Sequence, residues 1–200
     1  PLAPAPHATG CLLGVWGTLG GFLLPVVQGL SRDSRLREDP RARLVACGGV
    51  PRYRDGRMAK TALVTGASAG IGMEFARELA REGFDVVLVA RRRERLEEGA
   101  EAIAREFRVQ TYVIAEDLSD PAAPLRIYAE VKKQALHIDA LVNNAGSGIA
   151  QTFRAAPWRS HAQLIQVQIT AAAQLTHLLL PSMLERGYGR IINIASLAGL

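Results

Sequence analysis

Two hundred residues, 48% of them hydrophobic, suit one moderate domain with a sizeable core and exclude a wholly disordered chain. Two cysteines, Cys11 and Cys47, exclude a disulfide scaffold or a cysteine metal cluster and give no argument for an oxidising compartment. The formal charge of +5 is uneven: residues 31–60 carry nine basic and four acidic side chains, and residues 61–200 carry fifteen of each. The basic balance therefore belongs to the N-terminal segment, and no nucleic-acid partner is expected.

The chain starts on Pro1, read as a fragment edge, a processed end or an upstream extension. Residues 1–10 are Pro/Ala-rich and expected to lack structure. Residues 11–30, CLLGVWGTLGGFLLPVVQGL, have the length of a membrane span, but five glycines, Pro25 and Gln28 weaken that reading. No basic stretch precedes them and no small-residue cleavage site is obvious, so a secretory leader is not expected. A loosely packed apolar tail is preferred, with weak membrane association through residues 11–30 as the minority reading and a cytoplasmic location as the main one. Residues 31–59 mix Arg, Asp, Pro and Gly and read as a linker, with a short helix near Arg35 to Asp39. The expected division is an extension over 1–59 and a domain over 60–200.

Residues 60–91, KTALVTGASAGIGMEFARELAREGFDVVLVAR, organise the rest. A β-prone run, Ala62 to Val64, leads into a turn with Gly66, Gly70 and Gly72. The spacing then predicts a helix from Ile71 to Arg81, with Ile71, Phe75 and Leu79 on one side, ended by Gly83. Val86 to Val89 make a second strand, four apolar residues in a row as suits a parallel strand buried on both faces. Within this βαβ unit Gly66 lets the chain turn off the strand. Gly70 and Gly72 let backbone approach a phosphate and the helix sit close to the sheet. The amide N–H groups opening that helix would point at the anion. The alternative is a turn that needed glycine for geometry alone.

A helix follows from about Glu94 to Phe107, with Leu96, Ile103 and Phe107 as core candidates. Gln110 to Ala115 reads as a third strand closed by Glu116-Asp117-Leu118. A helix from Ala123 to Ala135 turns Ile127 and Val131 inward. Leu141-Val142, with Ile138 and Ala140 nearby, makes a fourth strand running into Asn143-Asn144-Ala145-Gly146. A long helix is predicted over Trp158 to Glu185, with Leu164, Val167, Leu175 and Leu178 inside and a kink at Pro181. Arg190 to Ala195 is a fifth strand. Alternating strands and helices of these lengths predict a Rossmann-like, doubly wound parallel α/β sheet with helices on both faces, incomplete at its C-terminal end.

The turn Thr65-Gly66-Ala67-Ser68-Ala69-Gly70-Ile71-Gly72 is neither a G-x-G-x-x-G fingerprint nor a P-loop. It resembles the short-chain dehydrogenase/reductase family, whose cofactor turn is T-G-x-x-x-G-I-G, and the resemblance covers residues 60–200. Asn143-Asn144-Ala145-Gly146, 77 residues beyond Gly66 at a strand end, is similar to that family's N-N-A-G motif. Ser196, 130 residues beyond Gly66, corresponds to its catalytic serine. The resemblance implies that Thr65, Gly66, Ser68, Ala69, Gly70, Ile71 and Gly72 form the cofactor turn. It implies further that Asp117 and Leu118 meet the adenine, and that Asn144, Ala145 and Gly146 flank the nicotinamide ribose. Asp117 capping the next turn is the alternative.

Cofactor choice is argued from charge. NAD recognition needs an acid near the end of the second strand, where Ala90 stands, and Arg91, Arg92 and Arg93 follow it. Cations are unfavourable at a helix N-terminus, so a bound 2′-phosphate accounts for Arg91, then Arg92, better than a solvated basic face does. NADP(H) is therefore expected over NAD(H).

Two departures from the family matter. Gln168 stands where the resemblance places a catalytic asparagine, so its longer side chain shifts the amide. The family's tyrosine and lysine, four apart on the next helix, would come after Leu200, so the sequence is read as truncated before the Tyr-x-x-x-Lys motif. Of Tyr53, Tyr112, Tyr128 and Tyr188 only Tyr128 has a lysine four residues on, Lys132, and none of the four follows the fifth strand. His137, His161 and His177 read as surface or packing residues, Glu74 and Asp139 as solvated helix or strand-end groups, and no metal site is expected. Phe153 and Trp158 suggest an apolar wall. The resemblance implies an NADP(H)-dependent oxidoreductase acting on a small carbonyl/alcohol substrate, this chain carrying the cofactor-binding part and too short for turnover. A homo-oligomer built through the long helix is implied as well. The alternative is a non-catalytic dinucleotide-binding or interaction protein.

Overall fold

The computed structural model describes residues 15–19, 22–26, 53–54 and 57–195, with side chains from residue 59 onward. Ser196, the expected helix near Arg35 and residues 1–10 lie outside the described residues. The chain divides into two units, Pro1–Val45 and Ala46–Leu200.

In the first unit β1 (Val15–Leu19) and β2 (Phe22–Val26) pair antiparallel, Val15 opposite Val26 and Leu19 opposite Phe22. The described residues of the apolar segment are thus extended rather than helical, and its glycines and Pro25 disfavour a helix. Among the described residues no helix is long and apolar enough to cross a membrane. The second unit opens with a short antiparallel pair, β3 (Tyr53–Arg54) and β4 (Arg57–Met58), inside the stretch read as linker.

Five parallel strands follow: β5 (Thr61–Thr65), β6 (Asp85–Ala90), β7 (Thr111–Ala115), β8 (Ile138–Asn143) and β9 (Arg190–Asn193). Their order in the sheet is β7-β6-β5-β8-β9. The connecting helices are α1 (Gly70–Arg81), α2 (Arg93–Phe107) and α3 (Ala123–Lys133). The last crossover runs through α4 (Trp158–Ile165), a π-helical turn over 166–170 and α5 (Ala171–Glu185). Strand order reverses between β5 and β8, so a crevice opens beyond their C-terminal ends.

Alternation along the strands builds two cores. Ala62, Val64, Val86, Leu88 and Val142 meet α1 and α2 through Ala76, Ala80, Leu96 and Ile103. Leu63, Val87, Val89 and Leu141 face the other way, onto Ile127 and Val131 of α3 and Leu175 and Leu179 of α5. Both faces are covered, which is why the strands read as unbroken apolar runs.

Two helices depart from the sequence expectation. The buried stripe of α1 is Gly72, Ala76 and Ala80, while Ile71 is exposed and Phe75 and Leu79 are only half-buried. Small residues let α1 lie close against Ala62 and Ala140, so bulk is displaced to the rim. The predicted long helix is interrupted at the π-helical turn, not at Pro181, and α5 continues through Pro181 to Glu185. The extra residue in that turn rotates α4 relative to α5. Leu164, Val167 and Leu178 are accordingly half-buried, and Ala171, Leu179 and Met183 join Leu175 in the core.

Asp139 is not a solvated strand end. Register slips at the start of β8, with Thr61 opposite Ile138 and Ala62 opposite Ala140, so Asp139 is the unpaired residue of a bulge. The Thr61 N–H donates to Asp139 Oδ2 at 2.9 Å, and Arg186 donates to Asp139 Oδ1 at 3.2 Å and to the Ile138 carbonyl at 2.8 Å. Replacing Asp139 by alanine orphans a part-buried N–H and a part-buried guanidinium. That change should lower the stability of the chain by about 1–3 kcal/mol in urea unfolding. An unchanged midpoint would show the bulge to be held by strand pairing alone.

Candidate functional site

The crevice is built on two strand ends sewn together. Thr65 Oγ1 donates to the Val142 carbonyl (3.2 Å) and accepts the N–H groups of Asn144 and Ala145, both at 3.0 Å. Asn144 Nδ2 returns a hydrogen bond to the Thr65 carbonyl at 3.0 Å. Thr65 and Asn144 act from behind the cleft wall, holding the glycine turn and the 145–148 loop side by side.

The glycines have distinct causes. Gly66 has φ +69° and Gly70 φ +57°, a region L side chains rarely adopt. Gly72 has ordinary backbone but no room: a Cβ there would lie 2.4 Å from Asn144 Nδ2 and 2.5 Å from the Gly66 carbonyl oxygen. Close approach of α1 to the Gly66 backbone and to the Asn144 side chain thus demands glycine here. At the start of α1 the N-cap residue, Ala69, offers no side-chain cap, and the first turn holds no acid. Among the described residues neither a side-chain cap nor a first-turn acid meets the positive end of that helix, the arrangement an anion would complete.

A cleft of about 560 Å³ opens there, within the usual range of roughly 300–1,000 Å³ for small-molecule sites. Gly66, Ser68 and Ala69 line one side, Arg91 and Arg92 the end of β6, Asp117 and Leu118 the end of β7, and Ala145 and Gly146 the end of β8. Gly70, Ile71 and Gly72 open α1 just behind this lining. The arginines are placed differently. Arg92 reaches back across the turn and donates to Ser68 Oγ at 3.0 Å. Arg91 has a side chain 73% exposed, with its guanidinium 3.9 Å from Asp117 Oδ2. Asp117 Oδ1 accepts the Ser119 N–H at 2.9 Å, so the turn-capping role is present while Oδ2 faces Arg91. A nucleotide fits this donor set: a helix N-terminus for a bridging phosphate and guanidinium groups for a further one.

On the far side Gln168, in the π-helical turn, donates from Nε2 to the Ser147 carbonyl at 2.9 Å. The same nitrogen lies 3.1 Å from where a Cβ on Gly146 would be. Gln168 thus ties the loop after β8 to the helix. Asn143, 7% exposed, donates to Asn193 Oδ1 (2.9 Å) and Thr176 Oγ1 (3.2 Å), joining β8, β9 and α5. Its own Oδ1 is buried without a hydrogen-bond partner among the described residues.

The apolar wall is not the one expected. Phe153 and Trp158 are 77% and 69% exposed, pack about His161 and do not line the cleft. The lining there comes from Ile149, Leu164 and Val167. Sequence reasoning also missed Arg126, which binds Glu116 and Asp120, ten and six positions before it, because the turn between β7 and α3 brings them together. Among the described residues no three metal-ligating side chains gather.

Residues 60–200 match the short chain dehydrogenase family. Very-long-chain 3-oxoacyl-CoA reductase-A of Danio rerio is 37% identical over 150 residues, 72% of this chain and 46% of that protein. Ketoacyl reductase HetN of Nostoc sp. is 40% identical over 152 residues, 70% of this chain and 48% of the relative. The crystal structure of a short-chain dehydrogenase from Sphingobium yanoikuyae in complex with NADPH superposes with a TM-score of 0.66 at 35% identity, covering 70% of this chain and 54% of that one. L-sorbose reductase from Gluconobacter frateurii, complexed with NADPH and L-sorbose, gives 0.64 at 35% identity, covering 66% and 51%. The chain spans about half the length of the curated relatives it matches.

Proposed function

The chain belongs to the short-chain dehydrogenase family, and from that premise we propose that it is the cofactor-binding part of an NADP(H)-dependent oxidoreductase that interconverts a carbonyl and an alcohol. The observation that carries the cofactor is the pair Arg91 and Arg92 lining the cleft at the end of β6, where Ala90 leaves no carboxylate to repel a 2′-phosphate. The relatives solved with NADPH agree in kind.

When bound, the nicotinamide supplies the two-electron chemistry. The chain's own residues bind and orient. The start of α1 takes the bridging phosphates. Ser68, Arg91 and Arg92 take the 2′-phosphate, and Asp117 and Leu118 border the adenine. Ala145 and Gly146 leave room for the ribose beside the nicotinamide, and Gln168 holds the 147 loop against the helix. Ser196 is assigned to hydrogen-bond the substrate oxygen by its place after β9. Proton exchange in this family uses a Tyr-x-x-x-Lys pair on the helix after the serine, and the one such spacing in these 200 residues, Tyr128 and Lys132, lies on α3, where neither residue lines the cleft. The chain by itself is therefore expected to bind cofactor without turnover. NADPH fluorescence with and without an aldehyde or ketone tests this: binding without oxidation is expected, and carbonyl reduction would place the acid elsewhere.

The substrate reading stops at a carbonyl/alcohol pair. Relatives are named for oxoacyl thioesters and for a ketose, and only Ile149, Leu164 and Val167 of the present cleft are apolar on that side. A homo-oligomer through the last crossover is supported by Ile165, Ile169, Leu180 and Leu184, all exposed along α4, the π-helical turn and α5.

A further inference from the structure

The loop after β7 carries the adenine side of the cleft, and one side chain behind it holds both of its ends. Glu116, Asp117, Leu118 and Ser119 line the cleft; Arg126, in the first turns of α3, does not. Arg126 Nε donates to Glu116 Oε1 and Oε2 at 3.0 and 3.1 Å, and Nη2 donates to Oε2 at 2.7 Å. The same Nη2 lies 2.8 Å from Asp120 Oδ2. One planar guanidinium therefore spans the segment that borders the nucleotide, gripping the residue before Asp117 and the residue after Ser119. Three hydrogen bonds to one carboxylate and a contact to a second make this a fork-on-carboxylate network rather than a loose surface pair.

Charge gives the arrangement its consequence. The cleft is offered to a polyanion, yet Glu116 and Asp117 both line it. Asp117 is 3.9 Å from Arg91. Glu116, left alone, would be a second carboxylate in a site whose purpose is to attract phosphate, and a further competitor for Arg91 and Arg92. Its carboxylate is instead paired with Arg126, which does not line the cleft.

We propose that Arg126 is a positioning residue for cofactor binding, compensating Glu116 and clamping the 117–119 wall so that Arg91 and Arg92 stay available to the nucleotide. The proposal rests on the dinucleotide reading given above. The Ala122 N–H, and after it Arg126, keep the Asp120 carboxyl below its ordinary range, while hydrogen bonds to Glu116 and then Asp120 raise Arg126 further. Sign follows directly: with the folded pKa of Asp120 depressed, its pairing is complete above the ordinary carboxylate range and is lost as pH falls through the depressed value. The clamp is therefore intact throughout neutral pH.

Titration of the 200-residue chain with NADPH and with NADH, followed by cofactor fluorescence, tests this. Arg126→Gln is expected to weaken both cofactors about fivefold to tenfold, because adenine and pyrophosphate are common to them. Adding Glu116→Gln to it should return NADPH affinity to within about threefold of the unmodified chain, since the carboxylate that needed compensating is gone. A purely structural role of Arg126 would show no such rescue. Glu116→Gln alone, which keeps Arg126, should bind NADPH at least as tightly as the unmodified chain. That arm decides the matter if Arg126→Gln fails to fold. Unaltered affinity in a folded Arg126→Gln, no rescue by the double variant, or weaker binding by Glu116→Gln overturns the clamp. An unmodified chain that binds neither cofactor overturns the dinucleotide reading itself, a separate and recognisable failure.

Discussion

Gly72→Ala is expected to be the most damaging single-methyl change in the molecule. The added Cβ would sit 2.4 Å from Asn144 Nδ2 and 2.5 Å from the Gly66 carbonyl, and the second of these is backbone. Relief requires α1 to lift from the sheet or the Thr65–Asn144 stitch to open. Overpacking of this kind destabilises by about 1–3 kcal/mol or more. Gly66 also lines the cofactor cleft, so binding should suffer beyond the loss of fold: at least about a tenfold weakening of NADPH in the fraction that remains folded. Gly70→Ala is the control. Gly70 has positive φ but nothing within 4 Å of an added Cβ, so only the backbone term of about 1–2 kcal/mol applies. Thermal unfolding of the two variants side by side checks the argument. If Gly72→Ala melts no lower than Gly70→Ala, close approach of α1 is not what this position serves.

The second large effect concerns cofactor choice. Arg91→Ala combined with Arg92→Ala should weaken NADPH by about 10- to 100-fold, the loss of one to two charge-assisted hydrogen bonds of roughly 1.5–3 kcal/mol. NADH should change by no more than about threefold. The single variants should differ. Arg92 is already anchored on Ser68 Oγ, so its loss also frees the glycine turn and should touch both cofactors slightly. Arg91 is free to swing from Asp117, so its loss should fall on NADPH alone. Equal weakening of NADPH and NADH by Arg91→Ala would remove the 2′-phosphate assignment and leave the arginines as a solvated face.

Gln168 shows how a departure in sequence is absorbed in space. Its longer side chain was expected to displace the amide. The amide nonetheless reaches the Ser147 carbonyl at 2.9 Å, from a π-helical turn that alters the path of the helix at that residue. The sequence carries the substitution plainly, but the change of helical winding that accommodates it has no local signature in Gln-Val-Gln-Ile-Thr.

What the sequence by itself determined is whatever is local: the βαβ unit, the positions of Gly66 and Gly70 in a turn requiring positive φ, the buried strands, and two arginines with no acid before them. These follow from side-chain period, backbone conformational limits and charge, each acting within a few residues. Only the tertiary structure decided the rest. Thr65 meets Asn144 across 79 residues, Asp139 fills a bulge beside Thr61 across 78, and Arg186 reaches Asp139 across 47. Which carboxylate is compensated and which small residue is indispensable are set by distances between separate elements. Such distances exist only once the sheet has brought the strand ends together, and composition and spacing along the chain do not encode them one residue at a time.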